Sequence, residues 1–233
     1  MVGENMNTDG YYPNLASFPL EHHKERLRRI HLSPSQRILL EDMEARFNVL
    51  KSHGITNLEH LRDILKNKQA VSEFAEASGL PEGYLTHLRR WVNGYRPKPV
   101  KLADFPPADP QAVAALASMG IKNSLHLFPR VKTLVARAEL IAETGITTEA
   151  ILTLTKLSDL VRLKWVGAKF AHLLLVSEFD TVEKVALADG IALYHHLQQV
   201  SAESGVYAGA FGENDINLWV KYIVCDVPIS ITY

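Results

Sequence analysis

The segment Phe47 to Val92 aligns without a gap on Val113 to Ser158, a shift of 66 residues, with 12 of 46 positions identical. Pairing at ordinary composition gives about 3 identities at roughly 6% per position. A chain carrying such a duplication is restricted to folds in which copies of one small unit each form, or stack, a core. The identities fall at positions that shape a chain. Gly54-Ile55 and Asn57 match Gly120-Ile121 and Asn123, His60-Leu61 matches His126-Leu127, and Gly79 matches Gly145. Leu50 pairs with Leu116, Glu73 with Glu139, and Leu88 with Leu154.

One unit reads as a series of short helices. A helix closes at Gly54, because glycine takes the left-handed conformation that ends helices. Ile55 enters the core, and Asn57 caps a helix through Leu58, Leu61 and Leu65. A third helix, Val71 to Ala77, stops at Gly79, and Pro81-Glu82 opens a fourth carrying Leu85, Leu88 and Trp91 or Val92 at core spacing. The second copy repeats this with Ser124 to Val131, Ala136 to Glu143, and a helix from Thr148 bearing Ile151, Leu154 and Leu157. A partial third copy follows. In it Ala171, Leu174, Phe179, Thr181 and Val185 take the places of Val113, Leu116, Ile121, Asn123 and Leu127, and Glu178 replaces the helix-closing glycine.

The expected architecture is all-α, with tandem repeats behind a helical N-terminal leader. The leader (1–45) holds a basic helix around Leu20 to Ile30 and a helix opened by Ser33-Pro34-Ser35. The repeats occupy 46–92 and 111–158, and a proline-rich basic connector, 93–110, lies between them. A degenerate hairpin with the partial third copy fills 159–204. The last segment, 205–233, reads as a helix over Asn214 to Cys225 and an extended end, Val227 to Tyr233, whose alternation hints at a strand without offering it a partner.

Charge excludes a global pull toward nucleic acid or anionic lipid, since 25 Lys and Arg stand against 26 Asp and Glu. Cys225 is the single cysteine, which rules out an intrachain disulfide and a cysteine-built zinc site. The polar start Met1-Val2-Gly3-Glu4-Asn5 does not resemble a signal peptide, and the longest greasy stretch, Phe170 to Val176, is far short of the roughly 20 residues of a membrane helix. A cytoplasmic protein without a membrane association or small-molecule cofactor is expected.

The run Leu160-Val161-Arg162-Leu163-Lys164-Trp165-Val166-Gly167-Ala168-Lys169-Phe170-Ala171 resembles a helix-hairpin-helix element, which normally reads Leu-x-x-Ile-x-Gly-Ile-Gly-x-x-x-Ala. With Ser158-Asp159-Leu160 before it and Asp180-Thr181-Val182-Glu183 after it, the region is similar to the bacterial domain of unknown function 4332 family. So are Leu32-Ser33-Pro34-Ser35-Gln36-Arg37-Ile38-Leu39, Gly79-Leu80-Pro81-Glu82-Gly83-Tyr84-Leu85 and the connector from Tyr95 to Pro106. The resemblance spans roughly residues 12 to 225. It implies helix-hairpin-helix-like pairs and little chemistry.

Working hairpins of this type set backbone amides and a helix N-terminus against a phosphate. Here Trp165 replaces the first glycine, so the indole is expected in the core and obstructs close approach, while Gly167 remains and Arg162, Lys164 and Lys169 supply charge. In a second candidate hairpin Pro107 and Ala108 replace the glycines, and proline removes a donor. A better electrostatic case is the acid-free stretch from Gly83 through Ala103, where Arg89, Arg90, Arg96, Lys98 and Lys101 interleave with Trp91 and Tyr95. A second basic group, Lys24, Arg26, Arg28, Arg29 and His31, is broken by Glu25.

The adjacent pairs His22-His23 and His195-His196 diverge on a helix, no metal-ligand spacing occurs, and His60 and His126 sit just inside asparagine caps, where a structural role is expected. No metal site, P-loop, dinucleotide fingerprint or nucleophile elbow is present. The expected function is therefore a non-catalytic helical binding module, a protein-interaction scaffold first and a nucleic-acid binder as the alternative.

Overall fold

The computed structural model describes residues 10–233, and every regular element among them is helical. Two compact units form, one of residues 13–96 and one of residues 97–233 together with 10–12. The first contains α1 (Leu20–Arg29), α2 (Met43–Ser52), α3 (Leu58–Ile64), α4 (Lys68–Ser78) and α5 (Glu82–Asn93). Its core gathers Leu27, Phe47, Leu50, Leu61, Tyr84, Leu85 and Leu88, with α5 laid across α3 and α4. The second contains α6 (Pro110–Ser118), α7 (Ser124–Val131), α8 (Leu134–Thr144), α9 (Thr148–Leu160), α10 (Ala168–Val176), α11 (Val182–Ala186), α12 (Gly190–Ser204) and α13 (Glu213–Tyr222). Here α9 packs on α7 and α10, and α12 on α10 and α13. Gly190 permits the last contact: a Cβ at this position would stand 2.5 Å from Asn217 Cα.

Local sequence explains the helix ends. The Asn57 carboxamide accepts the His60 amide at 2.9 Å, and the Asn123 carboxamide accepts the His126 amide at the same distance. These caps satisfy amides that a helix start otherwise leaves bare. Backbone angles recur at the 66-residue interval: Asn57 has φ −147° and ψ 174°, and Asn123 has φ −145° and ψ 172°. Gly79 and Gly145 close α4 and α8 at φ 70° and 69°. Each capped helix is also tied to an extended strap upstream. In the first unit Leu58 N donates to Phe18 O and Leu20 N to Thr56 O; in the second, Ser124 N donates to Val100 O and Leu102 N to Lys122 O.

Three expectations change. The leader's second helix is a 3-10 turn, Pro34–Leu39, because the Ser33–Gln36 capping box is followed only six residues on by Asp42, whose φ of 45° breaks the helix before α2. The C-terminal helix ends at Tyr222 and gives way to a 3-10 turn, Val224–Asp226. The extended end forms no strand. It lies on the α7–α8 junction, where Thr232 N donates to Lys132 O at 2.9 Å and Arg137 Nη2 donates to Thr232 O at 2.6 Å.

A buried ionic knot holds this end. Arg162 is 0% exposed; its Nε donates to Asp159 Oδ1 at 3.0 Å, and its Nη2 pairs with the same oxygen. Nη1 donates to Gly10 O at 2.8 Å, and Nη2 donates to Pro228 O at 3.1 Å. Asp159 Oδ2 accepts Tyr233 Oη at 3.1 Å and the Val182 amide at 3.0 Å. Both charges are thus paired and hydrogen-bonded, the condition under which burial is tolerable. Replacing Arg162 by Ala leaves the Asp159 carboxylate buried without its cation and is expected to destabilise the protein by about 3–5 kcal/mol. Tyr233→Phe, which deletes one hydrogen bond to that carboxylate, is expected to cost less, about 1.5–3 kcal/mol. Denaturant unfolding of both variants checks the ratio.

Candidate functional site

The sequence-selected basic residues separate when placed on the fold. Arg89, Arg90 and Arg96 belong to the 13–96 unit, whereas Lys98, Lys101, Arg162, Lys164, Gly167 and Lys169 belong to the other. Arg90 is exposed near the end of α5, and Arg89 Nη2 donates to Lys66 O at 3.3 Å. Arg96 is held by α3: Nη1 and Nη2 reach Glu59 Oε1 and Oε2 at 3.2 and 2.7 Å. Its charge is half-buried and neutralised. Lys98 and Lys101 are exposed.

In the hairpin between α9 and α10, two of the residues expected to supply surface charge lie inside. Arg162 is the centre of the ionic knot and offers nothing to a phosphate. Lys164 is 2% exposed, with Nζ 4.9 Å from the centroid of the Trp165 ring. Burial pushes its ammonium well below the ordinary lysine range, partly opposed by Asp226. Trp165 itself reverses the core expectation: it is 54% exposed. The turn still demands the left-handed conformation that glycine favours, and Trp165 adopts it at φ 72°, with the indole turned out to solvent. Gly167 is the exposed N-cap of α10, without a side-chain cap, and Lys169 is exposed in its first turn. The hairpin tip therefore presents Trp165, Gly167 and Lys169 alone.

A second surface on the same unit lies at the other end of α10. A shallow cleft of about 510 Å³ is lined by Phe179, Ala192 and Leu193, with Glu178, Lys184, Asp189 and His196 around them. Beside it, Leu187 at the end of α11 is 79% exposed, and Ile191 in the first turn of α12 is 45% exposed. Asp189 builds the turn between them, its Oδ1 accepting the Ile191 and Ala192 amides at 3.1 and 2.8 Å. His196 Nε2 donates to Ser177 O at 3.1 Å, and its ring packs edge-on against Phe179. Lys184 Nζ lies 2.7 Å from Asp180 Oδ1 and donates to Glu178 O at 3.1 Å. Burial would raise the Asp180 carboxyl, but hydrogen bonds from Lys156 and Lys184 outweigh it and hold it below its usual range.

Glu178 is the unusual member of this rim. It turns the chain at φ 64°, where the two other copies have Gly54 at φ 78° and Gly120 at φ 81°. The turn bonds correspond: Gly54 N to Lys51 O, Gly120 N to Ala117 O, Glu178 N to Leu175 O. A side chain in this conformation costs about 1–2 kcal/mol relative to glycine. Periodicity gave no signal for Leu187 and Ile191, which flank a turn rather than sit on one helix face. The glutamate in a glycine position was the visible clue to this end of α10.

The 13–96 unit has two shallow clefts, of about 410 and 550 Å³, on either side of Leu40. Among the described residues no group of three or more His, Cys, Asp or Glu is placed to hold a metal ion, and no helix is long and apolar enough to cross a membrane. The repeated histidines are built into turns, with His126 Nδ1 3.0 Å from Gly120 O and His60 Nδ1 3.1 Å from Thr56 Oγ1.

The family described as "Domain of unknown function (DUF4332)" matches residues 106–223, a span that takes in both ends of α10 and leaves out Arg89, Arg90, Arg96, Lys98 and Lys101. No curated protein and no solved structure matches the chain.

Two outcomes are expected. Trp91 and Trp219 are buried, so acrylamide quenching of tryptophan fluorescence should act mainly on Trp165 and largely disappear in Trp165→Phe. Lys164 has a folded pKa below its unfolded value of about 10.4, so the unfolded state holds the extra proton between the two and stability rises with pH across that window. Lys164→Met should flatten this rise, as read by denaturant unfolding from about pH 7 to 9.5.

Proposed function

We propose that this chain, which belongs to the domain of unknown function 4332 family, is a non-catalytic protein-interaction module built on tandem helix-hairpin-helix-like units. It docks a partner at the Leu187–Ile191 end of its 97–233 unit. The observation that carries this reading is the exposure of Leu187, 79%, beside Ile191 and an apolar-floored cleft. Single exposed leucines are ordinary, but here two large exposed aliphatic side chains stand four residues apart at the α11–α12 turn, which also supplies Asp189, Ala192 and Leu193 to the cleft, and exposed apolar surface of this kind is what partners cover. The 66-residue recurrence of caps and stops supports the repeat part of the reading, because it supplies a rigid frame for that surface.

One observation favours nucleic acid as a second reading: the hairpin tip exposes Trp165, suited to base stacking, beside the uncapped N-terminus of α10 and Lys169. That reading requires retardation of a single- or double-stranded probe at low salt that fades as salt rises and is weakened by Lys169→Glu.

For the docking reading, a photo-crosslinking residue at position 187 in cells of the source should give a discrete protein adduct that the same residue at position 90 does not. Equal adducts at both positions, or none at 187, would remove it.

A further inference from the structure

We infer that the partner of the Leu187–Ile191 surface is a cationic amphipathic helix, recognised by an acidic rim in which Glu178 is retained against the backbone's preference for glycine. The inference rests on the docking reading above and adds the chemistry of the partner.

The charges around the cleft decide the sign. Lys184 is the cation of the lining set, and its ammonium is already engaged by the Asp180 carboxylate, which Lys156 also meets. Glu178, Glu183 and Asp189 remain, all exposed and none ion-paired to a Lys or Arg among the described residues. Glu183 stands one helical turn before Leu187, on the same face. A cleft floored by Phe179, Ala192 and Leu193 and rimmed by the Glu178 and Asp189 carboxylates, with Glu183 exposed on the neighbouring α11, complements a helix with a leucine-like stripe flanked by Lys or Arg. Among the described residues no strand offers an edge to an extended peptide, and the apolar face of a helix fits the Phe179–Leu193 floor.

Glu178 supplies the independent argument. The same turn, with the same backbone hydrogen bond, occurs three times among the described residues, and twice it is made by glycine. At the third occurrence the strained conformation carries a side chain whose carboxylate makes no hydrogen bond or ion pair among the described residues: the Lys184 contact at this residue goes to the backbone carbonyl. Strain that persists without a structural return points to a side chain kept for contact. Where stability and binding oppose each other, one substitution separates them.

The test uses the full-length chain and two fluorescein-labelled helical peptides of equal length, one leucine–lysine and one leucine–glutamate, read by fluorescence anisotropy. The lysine peptide should bind at least ten-fold more tightly than the glutamate peptide and weaken as salt rises. Leu187→Ser should abolish that binding. Glu178→Gly should raise the thermal midpoint by roughly 2–8 °C yet weaken lysine-peptide binding about five-fold or more. Glu183→Gln with Asp189→Asn, which keeps the cap on α12, should weaken it further. Equal binding of the two peptides, preference for the acidic one, binding of neither, or a stabilised Glu178→Gly that binds as tightly as before would each overturn the inference. A specific adduct at position 187 together with any of these outcomes leaves the docking face standing and removes only its cationic partner. Loss of both the adduct and peptide binding removes both.

Discussion

The Arg162–Asp159 pair is the interaction on which the larger unit depends. A buried guanidinium has five donors to satisfy, and a buried carboxylate needs several donors of its own. Asp159 accounts for two of the arginine's donors, and carbonyls from residues 10 and 228 take others. Those carbonyls come from opposite ends of the chain, so the requirement to satisfy one side chain fixes both ends onto the helices. Arg96, 66 residues earlier, meets the same need with Glu59 on α3 inside its own unit. The same residue type at the same interval thus binds a carboxylate in both units, and in the larger one it binds main-chain carbonyls as well.

How far the sequence foretold this depends on the kind of signal. Caps and stops were legible because their chemistry is local: an asparagine before a helix and a glycine after it act within four residues, and Asn57, Asn123, Gly79 and Gly145 all do so. Core leucines at helical spacing were legible for the same reason. Arg162 and Lys164 were not, since residue type alone argues for exposure and only long-range partners can bring such charges inside. Trp165 failed in the opposite direction. Indole size argues for burial, but the hairpin backbone turns left-handed at that residue and points its side chain outward. The extended tail offered alternation and no partner because its partners are scattered groups, among them the Lys132 carbonyl, the Arg137 guanidinium and the Asp159 carboxylate, not a strand.

The two ends of α10 therefore divide the functional question between them. Each carries a residue in a conformation that suits glycine, Trp165 at one end and Glu178 at the other, and each such side chain is exposed. Caps and helix stops correspond at a 66-residue interval, whereas the candidate contacts lie outside those corresponding positions. Leu187 and Ile191 extend this contrast, being apolar where solvent would favour polar residues.

The hydrogen bond from Tyr12 Oη to Pro97 O, at 3.1 Å, joins the same tyrosine that ends the 10–12 segment to the residue at which the chain returns. Arg162 and Ser230 grip Gly10, two residues before the departure point. Topologically, then, residues 13–96 are an insertion: residues 10–12 belong to one body, the chain leaves it, completes a second, and re-enters within the span of one tyrosine side chain. The departure and return points would accept a short graft in place of the whole excursion. Evolution or an engineer could exchange the inserted body without rebuilding the one that carries α10.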